Sequence, residues 1–139
     1  MRNGRGETVL KNDLKDRTKS FALDTVRLVE TLPRSRSAQV MGHQLLRAAT
    51  SEAANYRSAC RARSRKDFIA KMGIVEEEAD ETGFWLELIG DCRLSDPVRV
   101  ATLRREASQL VAITVSSIRT ARGHRLSVPH SAFRTPHCS

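Results

Sequence analysis

Apolar residues recur along the chain at steps of three and four, the period of an α-helix with one buried face. The first such segment carries Leu14, Phe21, Ala22, Val26, Val29 and Leu32. It predicts a helix that begins near Asp13 and ends before Pro33, because proline lacks an amide hydrogen and clashes with the preceding turn. Residues 1–12 contain glycine and arginine without a period, which predicts a flexible arm.

A second helix is predicted to begin near Ser37. Its expected core positions are Val40, Met41, Leu45, Ala48, Ala49 and Ala53. Several of these side chains are small, so a neighbouring helix can approach closely. After Asn55 and Tyr56 the apolar pattern gives way to a basic segment, residues 57–66, and a short break between helices is predicted there.

Ser64, followed by Asp67 three residues later, predicts the N-cap of a third helix. Its apolar seam is heptad-like and comprises Phe68, Met72, Val75, Ala79, Thr82, Leu86 and Ile89. Ile74, Trp85 and Leu88 form a second stripe beside that seam. This stripe makes the apolar face wider than one neighbouring helix covers, so we interpret the three residues as an interface between subunits.

Asp96 and Pro97 predict the start of a fourth helix, in which the carboxylate caps the first amides and proline occupies the first position. Its expected core positions are Val100, Leu103, Ala107, Leu110, Val111, Thr114 and Ile118. Gly123 fits a left-handed C-terminal cap, and residues 124–139 read as a disordered tail. The fold class predicted for residues 13–123 is therefore all-α, an antiparallel up-down-up-down four-helix bundle.

Length and composition agree with one helical domain. The chain has 139 residues, of which 40% are hydrophobic and only 4% aromatic, so aliphatic side chains must build the core. The sequence has neither a secretory signal nor an apolar run that could cross a membrane. Three cysteines, at 60, 92 and 138, fit neither a disulfide framework nor a metal knuckle, so a reducing cytoplasm is the expected location.

The net charge of +8 makes a nucleic acid the first partner to consider. The candidate contact residues are Arg57, Arg61, Arg63, Arg65 and Lys66. If helical, the first, second and fourth of these lie within roughly 80° of one another around the axis and face phosphates together. A solvated polar surface and a protein interface are the alternatives. Tyr56 is the one aromatic residue beside them, so binding is expected to follow backbone and shape rather than base sequence.

A run of carboxylates on the third helix comprises Glu76, Glu77, Glu78, Asp80 and Glu81. Carboxylate-bridged metal sites in bundles also use histidines on the same helices, and this helix has none, so no metal is expected. The carboxylates are interpreted either as solvent-exposed or as partners of a basic surface on a neighbouring helix or subunit. No glycine-rich phosphate loop and no nucleophile–base arrangement is present, so neither a cofactor nor catalysis is expected.

Five segments, Asp13–Lys15, Leu32–Pro33, Gln44–Ser51, Ser64–Lys71 and Glu76–Leu88, carry a resemblance. They resemble the four-helix-bundle proteins encoded in intervening sequences of bacterial 23S ribosomal RNA genes, also called S23 ribosomal proteins. The resemblance covers about residues 13–122 and is most specific from Arg61 to Leu88. Where the family often has Asn-Ile-Ala-Glu-Gly, this chain has Asn55-Tyr56-Arg57-Ser58-Ala59.

The resemblance implies an antiparallel bundle assembled as a homopentamer, without enzymatic activity. It also implies a relationship to the accessory variability proteins of diversity-generating retroelements, which associate with a reverse transcriptase and nucleic acid. Together with the charge, it predicts a non-enzymatic, homo-oligomeric protein that contacts RNA or another nucleic acid. The alternative is a scaffold that self-assembles and docks a protein partner such as a reverse transcriptase.

Overall fold

The computed structural model describes the backbone of residues 2–123 and the side chains from Leu14 to Gly123. This part of the chain contains four α-helices and no strand, so the all-helical prediction is confirmed. They are α1 (Arg2–Glu30), α2 (Arg36–Cys60), α3 (Arg65–Asp91) and α4 (Pro97–Ala121). Helical backbone begins at Arg2 rather than near Asp13. The side chains of the predicted flexible arm, residues 1–12, lie outside the described part of the chain, and so does the predicted tail at residues 124–139. Both therefore stay predictions.

Local capping explains where three of the helices begin. The Ser64 hydroxyl accepts a hydrogen bond from the Asp67 amide at 3.0 Å, as the sequence predicts for α3. The Asp96 carboxylate accepts one from the Val98 amide at 3.3 Å, and Pro97 is the first residue of α4. Ser35 caps α2 through the Ala38 amide at 3.3 Å. These side chains satisfy amides that have no partner inside the helix.

Gly123 lies just beyond α4 with a φ of 74°. Glycine adopts this left-handed conformation without the steric cost that a Cβ atom brings, and its amide bonds the Thr120 carbonyl at 3.1 Å. The predicted C-terminal cap of the fourth helix is therefore confirmed.

Helix α3 follows the sequence prediction position by position. Its seven buried residues are the seven of the predicted seam: Phe68, Met72, Val75, Ala79, Thr82, Leu86 and Ile89. α3 packs against α2 on one side and against α4 on the other, while α1 packs against α2 and α4. Because α3 makes extensive contacts with two helices, it buries a broad apolar face, and this face produces the clear sequence pattern.

The predicted core face of α1 is partly wrong. Its buried residues are Leu14, Thr18, Phe21, Thr25 and Leu28. Val26, expected in the core, is 37% exposed. The true seam contains two threonines, which conceal its period in a purely apolar pattern. Thr18 is accommodated because its hydroxyl donates to the Lys15 carbonyl, at 3.2 Å, within the same helix.

Helix α2 departs from the sequence prediction in the identity of its buried residues. Val40, expected in the core, is 54% exposed, whereas Glu52 and Tyr56 are fully buried. The short break predicted within residues 57–66 is confirmed, since α2 ends at Cys60 and α3 begins at Arg65. The buried positions keep steps of three and four, but two of them hold residues with polar groups, so apolar spacing alone hides the second half of the helix.

Two further observations concern cysteine and membranes. Cys60 is disulfide-bonded, contrary to the expectation that the cysteines form no disulfide, and Cys92 is free and exposed. Within the described residues, no helix has an apolar stretch long enough to cross a bilayer.

Candidate nucleic-acid interface

The five predicted contact residues are all exposed and lie around the connection between α2 and α3. Arg57 is in the last turn of α2, Arg61 is its C-cap, Arg63 is in the connecting turn, and Arg65 and Lys66 begin α3. The condition for one shared helical face, a helix continuous from Arg57 to Arg65, is not met, because α2 ends at Cys60. The connection is only four residues long, so it still gathers all five side chains at one end of the molecule.

Among the side chains that the structure describes, Asp67 is the carboxylate next to this group in sequence. Lys71 on the next turn binds it at 2.9 Å, and Arg63 also interacts with it. Hydrogen bonding to Lys71 is the main reason that the pKa of Asp67 is lowered, so this carboxylate is ionised and paired. Within residues 14–123, Arg57, Arg61 and Lys66 form no ion pair with a carboxylate.

The end of α4 extends the same surface. A Cβ atom added at Gly123 would lie 3.4 Å from the Arg65 Nη1 atom, so the C-terminus of α4 meets the start of α3. Arg119 and Arg122, at that C-terminus, are exposed. We call the combined surface the basic end; it comprises Arg57, Arg61, Arg63, Arg65, Lys66, Arg119 and Arg122. The sequence analysis missed Arg119 and Arg122, which are far along the chain from the other five residues. An up-down four-helix topology would have predicted that the end of the fourth helix lies beside this connection.

The carboxylates of α3 are partly neutralised by α2. Arg47 binds Glu81 at 2.7 Å and Glu78 at 3.7 Å, and the Ser51 hydroxyl donates to Glu78 at 3.2 Å. The Trp85 indole N–H donates to Glu81 at 3.0 Å. That bond, followed by Arg47, lowers the pKa of Glu81, and Glu81 in turn raises the pKa of Arg47. The sequence allowed exposure or pairing, and for Glu78 and Glu81 pairing with a neighbouring helix is observed.

A metal site does not arise from these acids in the described residues. No group of three or more His, Cys, Asp or Glu side chains there is arranged to hold a metal ion.

The second apolar stripe of α3 lies at the surface of the described chain. Ile74 is 42% exposed, while Trp85 and Leu88 are half-buried and pack against the core. Phe84, which the sequence analysis missed, is 53% exposed, and its ring meets that of Trp85 edge-on with centroids 4.9 Å apart. Such a patch of exposed aromatic and aliphatic groups is typical of an interaction surface.

Glu52 is the most unusual residue of the core. Its side chain is fully buried, and neither carboxylate oxygen has a hydrogen-bond partner. Burial, with a smaller effect of the charges on Glu106 and Glu78, raises its pKa to about 8. The only sequence signal for it was a polar residue on the buried side of α2, four residues before Tyr56.

Comparison with known proteins places the chain in a family. The family model for the 23S rRNA-intervening sequence protein matches residues 11–116. The chain belongs to this family. A crystal structure of an S23 ribosomal protein family member from Bacteroides thetaiotaomicron, a protein of unknown function, is 34% identical. That comparison covers 76% of this chain and 98% of the other, with a TM-score of 0.71. No match was found among curated proteins.

The family match includes some of the candidate interface but not all of it. Residues 11–116 contain the whole α2–α3 connection and the stripe of α3, whereas Arg119 and Arg122 lie beyond the matched region. The resemblance inferred from sequence motifs is thus confirmed at the level of the family, whose crystallised member has an unknown function.

Proposed function

We propose that this protein is a non-enzymatic, homo-oligomeric binding protein whose basic end contacts RNA or another nucleic acid. The observation that carries the proposal is the gathering of seven exposed arginine and lysine side chains at one end of the molecule. Guanidinium groups bind phosphate oxygens in a bidentate geometry, and several of them on one surface release counterions when they meet a phosphate polymer.

The burial of Tyr56 supports a backbone-directed mode of binding. Tyr56 is the aromatic residue nearest the contact residues in sequence, and it is fully buried. Burial also raises the pKa of its hydroxyl, which stays neutral. No stacking platform for bases is therefore offered by this side chain, and recognition depends on the phosphate backbone and on nucleic-acid shape.

Contacts between the helices support the antiparallel arrangement that we propose for the bundle. Between α2 and α3, Arg47 binds Glu81 and Ser51 binds Glu78, so positions advance on one helix while they recede on the other. Between α3 and α4 the same reversal relates the Arg104–Glu87 ion pair to the contact of Gly90 with Val100. This topology puts the ends of α2 and α4 together, as the basic end requires.

A salt titration tests nucleic-acid binding. We expect the full chain to bind a structured RNA at low ionic strength and the logarithm of its association constant to fall linearly with that of the salt concentration. Each phosphate contact contributes a slope of about −0.9 on a duplex and about −0.7 on a single strand. Fluorescence anisotropy with a labelled hairpin measures it. Absence of binding at low salt contradicts the proposal, and binding insensitive to salt rules out phosphate contacts as its basis.

We also propose that the protein assembles as a homopentamer through Ile74, Trp85 and Leu88. The exposed apolar stripe of α3 supports self-association, and the ring size comes from the resemblance described above. Phe84, whose ring contacts Trp85, is exposed as well. Burying these groups between subunits removes apolar area from water, worth about 25 cal/mol per Å².

The change Ile74→Asp is expected to dissociate the assembly, because a charge would be buried in the interface. Ile74 is 42% exposed, so the fold of one subunit should survive. Val98→Asp is the matched control, since Val98 is 71% exposed and lies on α4 rather than on α3. Sedimentation velocity at micromolar concentration measures the mass. A monomeric unmodified protein, or equal effects of both changes, would refute this interface.

The alternative function is a scaffold that docks a protein partner such as a reverse transcriptase, in which case the exposed aromatic pair Phe84–Trp85 supplies the contact. The same titration separates the two functions. A scaffold keeps its oligomeric state and shows no salt-dependent affinity for RNA.

A further inference from the structure

Glu52 lies within α2, on the face of the helix that packs into the core. Its neighbours along the seam, Ala49 and Tyr56, are also fully buried. Both oxygens of the Glu52 side chain are inaccessible to solvent and lack a hydrogen-bond partner. An ionised carboxylate without a partner is very costly to bury, whereas a neutral carboxylic acid costs only about as much as another unpaired polar group.

The charged groups around Glu52 do not supply a counterion. Glu78 on α3 and Glu106 on α4 act on it electrostatically, and both carry like charge. The cations that approach these carboxylates pair with them and not with Glu52. On α2, Arg47 binds Glu78 and Glu81, and on α1, Arg17 binds Glu106 at 2.6 Å.

No described residue donates a hydrogen bond to the Glu52 carboxyl group. The hydroxyl oxygen of Thr25 on α1 and one carboxylate oxygen of Glu78 on α3 are also buried without a hydrogen-bond partner. Among the residues that the structure describes, the Glu52 carboxyl group therefore has neither a cation nor a donor as a partner.

We propose that Glu52 is a proton-dependent stability switch: the folded bundle holds its side chain as a neutral carboxylic acid, and loss of that proton destabilises the bundle. The switch sits between the helices rather than at the basic end. It therefore regulates the fold that carries the proposed binding surface and does not depend on nucleic-acid binding.

Linkage gives the direction of the pH effect. The pKa of Glu52 is raised in the folded protein to about 8, from an ordinary value of 4.5. Below the ordinary value both states are protonated, and the stability associated with the neutral acid is fully present. As the pH rises from there to the folded pKa, the unfolded chain releases a proton that the folded protein keeps. The unfolding equilibrium constant then rises by about tenfold per pH unit and levels off above the folded pKa.

Urea unfolding at a series of pH values tests the switch in the full chain, with Glu52→Gln as the neutral, nearly isosteric variant. The control is Glu77→Gln, which removes an exposed carboxylate from α3. Between about pH 5 and about pH 8 we expect the unfolding constant of the unmodified protein to rise on the order of a thousandfold relative to Glu52→Gln. The control should follow the unmodified protein.

A direct measurement keeps the proposal testable even if the variant folds poorly. The ¹³C chemical shift of the Glu52 carboxyl group in the unmodified protein reports its protonation state. We expect the shift of a neutral acid at neutral pH and a titration well above that of exposed glutamates. Parallel pH profiles for the unmodified protein and Glu52→Gln overturn the switch, as does a Glu52 resonance that titrates near its ordinary pKa.

Discussion

Replacing the five basic residues at the α2–α3 connection by glutamine is expected to reduce RNA affinity by roughly a hundredfold or more at about 0.1 M salt, and to flatten its salt dependence. The variant changes Arg57, Arg61, Arg63, Arg65 and Lys66 together. All five are exposed, so their removal takes no side chain out of the core. Each lost phosphate contact should lower the magnitude of the salt slope by about one, which an anisotropy titration at several salt concentrations resolves.

The matched control removes the same amount of charge from other exposed positions. It replaces Lys19, Arg34, Arg36, Arg93 and Arg105 by glutamine. If only the net charge of +8 attracts RNA, the two variants lose affinity equally and their salt slopes agree. A defined basic end predicts a much larger loss for the first variant. Equal losses therefore refute a localised interface while leaving non-specific attraction intact.

Sequence reasoning succeeded for α3 because this helix makes extensive contacts with both α2 and α4. Each step of three or four along Phe68–Ile89 meets another apolar or small residue, and the amphipathic pattern is complete. Ser64 and Asp96 also act locally, since a cap depends on the residue itself and on the amides of the next turn. Such features need no knowledge of the rest of the fold.

The same reasoning failed at several polar core positions of α1 and α2. Thr18 and Thr25 on α1 are buried at positions that an apolar pattern skips, and Val26 was chosen instead. On α2, Glu52 interrupts the seam in the same way. The cost of burying such a group depends on its surroundings in the folded protein. The Thr18 hydroxyl donates to a carbonyl of its own helix, and burial raises the pKa of the Glu52 carboxyl group. An apolar pattern in the sequence shows neither of these effects.

The basic end shows a second limit of sequence analysis, which does not bring together residues that are distant along the chain. The five residues near the α2–α3 connection could be found because they are close together in sequence, although they belong to two helices and the turn between them. Arg119 and Arg122 join them only because α4 ends beside Arg65. A site assembled from helix ends depends on the order and direction of the helices. The sequence predicts the helices themselves better than it predicts which residues meet at their ends.

Leu45→Ala is expected to lower the free energy of unfolding by about 2–5 kcal/mol, the cost of lost burial plus the cavity left behind. Leu45 is completely inaccessible to solvent and belongs to the core cluster that joins the helices. Helix α2 packs against both α1 and α3, and close-packed side chains collapse only partly into such a space. Chemical denaturation monitored by circular dichroism measures the change.

Val40→Ala is the matched control on the same helix, and it separates the observed core from the apolar pattern. Both residues fit the predicted face of α2, but Val40 is 54% exposed. Its truncation should change the free energy of unfolding by less than about 0.5 kcal/mol, because little buried area is lost and alanine favours the helix slightly more than valine. A loss at Val40 equal to that at Leu45 would mean that α2 buries a wider face than the one observed, with Val40 also covered in the folded protein.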